Sequence, residues 1–234
     1  VCLVEATGWP SAPDRESYVN DLTGLLVSEP SRTNLTRPSS SYSVYVVHFS
    51  AGAPSPASLT QIVSTGDATG DGRTDFFATA GDELWALTGY HGATVDQAIR
   101  LSASAWTERD IVTVLDITGD GVTDMVYRTD VHSQLMLRKG KAASGGGTDL
   151  DSLSSGADAS GGTDLEYGSA DWSVANVPLL IGTPDANGDG IPDIWVVRAD
   201  GSVRFHAGGK IVLIGSGTEI IAPASYWKTR IAIG

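Results

Sequence analysis

One nine-residue pattern occurs three times in this chain. It reads Asp67-Ala68-Thr69-Gly70-Asp71-Gly72-Arg73-Thr74-Asp75, then Asp116-Ile117-Thr118-Gly119-Asp120-Gly121-Val122-Thr123-Asp124, then Asp185-Ala186-Asn187-Gly188-Asp189-Gly190-Ile191-Pro192-Asp193. In each copy oxygen-bearing side chains fall at positions 1, 3, 5 and 9, and a glycine stands at position 6. Glycine there permits a tight bend that other residues resist. With this spacing a loop can wrap a hard cation such as calcium, which takes about 6–8 oxygen ligands. A single Asp-Gly stretch could be no more than a hairpin turn. Three copies with the same donors, each between strand-like segments, predict three cation-binding loops. An EF-hand needs a bidentate Glu at position 12 and a helix on either side. Position 12 is Ala78, Tyr127 and Val196, and the flanks are strand-like, so that reading fails.

The segments around the loops predict an all-β chain of four-stranded units. In the first unit, Leu59 to Ser64 leads into the loop, Asp75 to Ala80 leads out, Glu83 to Tyr90 follows a Gly81-Asp82 turn, and a fourth strand falls near Ala98 to Ser102. Within Glu83 to Tyr90, Leu84, Ala86 and Thr88 face one way and Trp85 and Leu87 the other, because successive side chains of a strand alternate. The second unit comprises Asp110 to Leu115, Met125 to Arg128 and Gln134 to Arg138. The third comprises Val177 to Ile181, Ile194 to Arg198, Ser202 to Ala207 after an Ala199-Asp200-Gly201 turn, and Lys210 to Ile214. Asp67 and Asp116 stand 49 residues apart, Asp116 and Asp185 69 apart. The excess is a Gly/Ser/Asp-rich insertion at 140–170 holding two near copies, Gly146-Gly147-Thr148-Asp149-Leu150 and Gly161-Gly162-Thr163-Asp164-Leu165. It reads as a solvated loop or as a contact arm for a partner. Trp106, Trp172 and Trp227 each head a lead-in strand, and the residues after Trp227 resemble the opening of a fourth unit. Four strands per unit at a period near 40–50 residues is the pattern of a β-propeller, or of part of one.

Residues 1–57 do not fit the repeat and stay unassigned. Val1 to Glu5 reads as a short strand, Asp21 to Ser28 as a mixed apolar stretch without a clear type, and Ser43 to Phe49, rich in β-branched and aromatic residues, as a strand. The single cysteine, Cys2, rules out an internal disulfide and leaves an inert thiol or an intermolecular bond. No signal peptide is visible at Val1, and the abrupt opening predicts removal of a presequence or of a larger N-terminal part. No run reaches the roughly 18 apolar residues of a membrane-spanning helix. The formal net charge is −13, and nine of the 28 acids are the loop aspartates. Three calcium ions would add about +6 and offset nearly half of that excess. No Lys/Arg cluster exists to neutralise phosphates, which argues against a nucleic-acid partner.

The three loops with their strands resemble FG-GAP or VCBS-type repeats, the calcium-binding blades of integrin α-subunit propellers and of many secreted bacterial proteins. The resemblance covers roughly Leu59 to Gly234. It implies side-chain ligation from positions 1, 3, 5 and 9 and a backbone carbonyl from position 7. The implied ligands are Asp67, Thr69, Asp71, Arg73 and Asp75; Asp116, Thr118, Asp120, Val122 and Asp124; and Asp185, Asn187, Asp189, Ile191 and Asp193. Threonine is a neutral donor, so the first two loops are expected to bind more loosely than the third. Such propellers usually have seven blades, whereas this chain holds three units and the start of a fourth. A partner chain completing the ring is one expectation, residues 1–57 as extra blade material is another, and a chain that is a piece of a larger protein is a third.

No catalytic set stands out. His48, His91, His132 and His206 lack zinc spacing, no Gly-x-Ser-x-Gly elbow occurs, and the glycine run at 145–147 lacks the Lys-Ser/Thr of a phosphate loop. The expected function is a secreted, non-catalytic binding module that recognises a glycan or a protein, with Trp85, Tyr90 and the 140–170 segment as candidate contacts. The alternatives are an accessory or structural subunit completing a propeller in a larger complex, or part of a secreted hydrolase.

Overall fold

The computed structural model describes residues 24–30, 42–48, 52–92, 94–154, 164–169 and 171–230, the first two stretches as backbone only. Strand β1 (Gly24–Pro30) pairs antiparallel with β2 (Tyr42–His48) as a separate hairpin. The strand expected at Ser43 to Phe49 is thus present, and the unassigned stretch at Asp21 to Ser28 contains the start of β1. The expected strand at Val1 to Glu5 lies outside the described residues.

Three four-stranded antiparallel sheets follow. The first runs β3 (Leu59–Gly66), β4 (Thr74–Ala80), β5 (Glu83–Tyr90), β6 (Gln97–Ser102). The second runs β7 (Arg109–Leu115), β8 (Asp124–Thr129), β9 (Gln134–Arg138), and closes with β12 (Leu165–Gly168) after a small hairpin of β10 (Lys141–Ala142) and β11 (Thr148–Asp149). The third runs β13 (Leu179–Thr183), β14 (Asp193–Val197), β15 (Val203–Ala207), β16 (Ile214–Ile221), and a single helical turn, α1 (Ser225–Lys228), comes last. Each sheet is a meander, and each Asp-rich loop joins its first strand to its second. Among the described residues no helix is long and apolar enough to cross a membrane.

The lead-in strands lie side by side, β3 next to β7 and β7 next to β13. Glycine makes the second approach possible. A Cβ on Gly182 of β13 would stand 2.3 Å from Thr113 Cβ of β7. The sheets pack through alternating faces, as the pattern of β5 predicts. Leu84 and Ala86 join Phe77 and Trp106 in a cluster shared with Met125 and Tyr127 of the second sheet. Trp85 and Leu87 point to the other face of the first sheet, with Ala78 and Val95. The second sheet meets the third through Val112, Val126 and Leu137 against Ile194 and Val196.

Register relates the three sheets position by position. The residue two past the last loop aspartate is Phe77, Val126 or Trp195, and its partner on the third strand is Ala86, Leu137 or Phe205. Four residues before the first loop aspartate stand Val63, Val112 and Ile181. The first two sets are packed against the following sheet. The third set, Ile181, Trp195 and Phe205, is only half-buried, with the Trp195 and Phe205 ring centroids 5.1 Å apart. The tryptophans also dock alike. Trp106 donates its backbone N–H to Asp82 Oδ1 (2.9 Å), and Trp172 donates its backbone N–H to Ser133 O (3.0 Å). Asp82 and Ser133 lie in the turn between the second and third strands of the preceding sheet. Near Trp227, Ala224 N–H binds Gly201 O (3.2 Å) in the same turn of the third sheet.

One expectation needs correction. The fourth strand of the third unit is β16, Ile214–Ile221, rather than Lys210 to Ile214. The chain folds back on itself first, so tightly that a Cβ on Gly209 would lie 2.2 Å from Val212 O. At Trp227 the chain forms the helical turn α1, and the strand expected after it falls mostly on residues 231–234, which lie outside the described residues.

Candidate metal centre

Each Asp-rich loop is folded by its own carboxylates. In the first, Asp67 Oδ1 accepts the N–H groups of Gly70 (2.7 Å) and Asp71 (2.9 Å), and Oδ2 accepts that of Gly72 (2.8 Å). In the second, Asp116 accepts from Gly119 (2.7 Å), Asp120 (3.1 Å) and Gly121 (2.8 Å). In the third, Asp185 accepts from Gly188 (2.6 Å), Asp189 (3.1 Å) and Gly190 (2.8 Å). Position 1 thus gathers the N–H groups of positions 4, 5 and 6 every time. The chain can present them only because positions 4 and 6 adopt φ between +75° and +86° in all three loops, the left-handed region that suits glycine. Position 5 accepts the N–H of position 7 at 2.8–2.9 Å through Asp71, Asp120 and Asp189. The N–H groups of Gly190, Gly188 and Asp189, Gly190 first, hold the Asp185 carboxyl below its ordinary range.

Position 9 has a second task that sequence reasoning missed. Asp75, Asp124 and Asp193 are each 0% exposed. One oxygen of each closes the loop, accepting from Thr69 N (2.8 Å), Thr118 N (2.9 Å) or Ala186 N (2.8 Å). The other accepts the N–H of a glycine just past the third strand, or at its end: Gly89 (2.9 Å), Gly140 (3.0 Å) or Gly208 (2.9 Å). The glycine is needed where backbones nearly touch. A Cβ on Gly208 would stand 1.9 Å from Pro192 O, and one on Gly140 2.1 Å from Thr123 O. A signal did exist, since these glycines follow the aspartates by 14, 16 and 15 residues. Burial raises the Asp124 carboxyl against the pull of the Thr118 and Gly140 N–H groups.

The donor set fits a hard cation in its chemistry. At position 3, Thr69 Oγ1 and Thr118 Oγ1 are buried and carry no hydrogen bond among the described residues. A buried hydroxyl oxygen without a partner is costly unless something binds it. In the third loop the Asn187 amide nitrogen points at Asp189 Oδ2 (3.0 Å) and Asp193 Oδ1 (3.2 Å), so a donor already faces carboxylate oxygens. Among the described residues no three Asp, Glu, His or Cys side chains converge as a ready ligand group. The carboxylates spend much of their bonding on the loop backbone, and hydroxyl, amide and carbonyl oxygens make up the rest of the set.

A groove of about 680 Å³ runs along the three lead-in strands. Ile62, Val63, Leu179 and Ile181 supply apolar walls, and Asp110 and Arg128 a charged patch. Arg128 is buried, is paired with Asp110, and donates to Val177 O (2.6 Å). Two candidate contacts fare otherwise than expected. Trp85 is 9% exposed and belongs to the core, so it is not a surface contact. Tyr90 is half-buried against Phe76, its hydroxyl donating to Gly92 O (3.0 Å). The insertion is also no free arm over its described part. Leu150 and Leu153 pack into the cluster between the first two sheets, and Asp164 is bound to Arg138. Neither the models of known protein families nor the curated proteins compared with this chain match it.

Proposed function

We propose that the chain is an arc of a calcium-stabilised β-propeller of the FG-GAP/VCBS kind, acting outside the cell as a non-catalytic binding module. One observation carries the reading. Three loops far apart in sequence have the same internal bonding, and the two that bear threonine leave its buried hydroxyl oxygen without a partner. The ions would be held by Asp67, Thr69, Asp71, the Arg73 carbonyl and Asp75, and by the corresponding residues of the other two loops. When bound, calcium supplies charge compensation and a cross-link, and its binding free energy becomes folding free energy. The loop residues themselves bend the chain and fasten the first two strands of each sheet to the end of the third.

Three meanders with neighbouring lead-in strands support a propeller arc, with the groove on its inner side. Apolar walls with a charged patch suit a ligand offering both faces and hydroxyls or amides, as a glycan or an extended peptide does. A glycan array and a pull-down test this, each with and without Leu179→Glu, which puts a charge into the groove wall. The reading predicts a captured ligand that the variant loses, and binding untouched by the variant contradicts it.

A specific observation favours a second role, as the subunit that completes a ring with a partner. Ile181, Trp195 and Phe205 occupy positions that are packed beneath a neighbouring sheet in the other two units. Ile214, Ile220 and Ile221 of β16 are exposed as well. The mass of the native particle decides, because a 24.3 kDa monomer argues against this role.

A further inference from the structure

We propose that Thr148 couples the first and second Asp-rich loops, so that they load calcium together while the third loads alone. The inference rests on the calcium reading above and concerns a residue outside the ligand set. Thr148 is 5% exposed and sits in the β10–β11 hairpin, wedged between the two loops. Its N–H binds Ala68 O of the first loop at 2.8 Å. Its Oγ1 accepts the Thr123 N–H of the second loop, also at 2.8 Å. One buried residue therefore satisfies a backbone group in each.

The rest of the hairpin reinforces both contacts. Gly147, at φ +68°, lies so close to the first loop that a Cβ there would meet Thr69 O at 2.2 Å. The Gly140 N–H, at the hairpin's base, is taken by Asp124 Oδ1 of the second loop (3.0 Å). Thr69 and Asp124 are also positions 3 and 9 of their loops, so the hairpin touches residues expected to move when an ion enters. From the third unit, the second loop is met by a side chain. Lys210 of the third unit overlies Gly119 of the second loop with its flexible side chain, at 3.1 Å from where a Cβ would stand. A lysine stem gives way where a backbone wedge does not.

Coupling follows from order. An ion that fixes the first loop fixes the Ala68 carbonyl and the Thr69–Gly70 peptide against which the hairpin rests. A fixed hairpin presents Thr148 Oγ1 to Thr123 N–H and Gly140 N–H to Asp124, so the second loop loses less freedom when its own ion arrives. Such coupling must be reciprocal and needs no change of fold.

The test is titration of the chelator-stripped full chain with calcium, followed by calorimetry, beside Thr148→Val, Thr148→Ser and Gly147→Ala. Thr148→Val keeps the N–H bond and loses the Oγ1 acceptor, Thr148→Ser restores that acceptor, and Gly147→Ala pushes the hairpin off the first loop. The expected wild-type result is a cooperative pair with a Hill coefficient approaching about 2, plus one independent site. Thr148→Val and Gly147→Ala bring the pair to a coefficient of about 1 with the ion count unchanged, and Thr148→Ser retains the cooperativity. Independent sites in the wild type, or cooperativity that survives both disrupting variants, overturn the coupling and leave the calcium reading standing. Absence of any calcium uptake overturns the calcium reading itself, and the coupling falls with it.

Discussion

The ion pair between Arg138 and Asp164 offers a perturbation whose size can be worked out in advance. Their side chains are 4% and 5% exposed. Arg138 donates Nη2–H to Asp164 Oδ2 (2.6 Å) and Nε–H to Oδ1 (3.1 Å), and Tyr127 Oη–H donates to Oδ2 (2.6 Å). Arg138 also binds Leu153 O (3.1 Å) and lies over the Tyr127 ring at 5.0 Å. Burial first, then the bond to Asp164, raises the Tyr127 hydroxyl well above its ordinary value. Asp164→Ala removes the carboxylate that accepts two of the guanidinium's hydrogen bonds. Breaking a buried pair by removing one partner costs about 3–5 kcal/mol. At about 2–4 °C per kcal/mol for a domain of this size, Tm should fall by roughly 6–20 °C. Urea unfolding gives the free energy directly, and Asp164→Ala combined with Arg138→Met should recover much of the loss, because an apolar replacement of the whole pair is often tolerated. A loss under about 1 kcal/mol for Asp164→Ala would refute the claim that this pair anchors the insertion to the second sheet.

Other outcomes follow from the same contacts. His206 is 3% exposed, and burial first, then Arg198 and Arg204, push its pKa down from 6.5 to about 4. The unfolded chain therefore takes the proton first, so the stability is fully present above pH 6.5 and is lost as pH falls toward 4. The loss is on the order of 3 kcal/mol, and His206→Phe should flatten it in acid titration of urea stability. Phe77→Ala should cost about 3–5 kcal/mol in urea melts, while Phe205→Ala, in the half-buried set of the third sheet, should cost clearly less. Gly182→Ala should destabilise by at least about 2 kcal/mol in the same assay, since its Cβ would meet Thr113. A chelator should lower the melting temperature markedly, each site saturated about a hundredfold over its Kd having contributed about 2.7 kcal/mol.

Local patterns were legible in the sequence and long-range fastenings were not. Strand alternation in Leu84 to Leu87 anticipated the two faces of β5, and the loop spacing located all three bends with their glycine at position 6. Both are properties of neighbouring residues. The buried position-9 aspartates were recognised as oxygen donors, yet their bonds to Gly89, Gly140 and Gly208 cross from one strand end to another and leave no short-range pattern. The insertion misled for a related reason. Its Gly/Ser/Asp composition reads as solvated loop, but Thr148 and Asp164, one from each near copy of Gly-Gly-Thr-Asp-Leu, are spent on buried contacts 25 and 26 residues away in the chain. Trp85 looked like a surface aromatic only while the packing of its sheet face was unknown.

Native mass spectrometry of the chain, equilibrated with calcium and then desalted gently, counts ions per molecule without a ligand, a partner or an activity. The account predicts a mass increased by about three calcium ions, falling to about two when Asp116 and Asp120 are both changed to alanine. A chain that emerges with no bound calcium would contradict it.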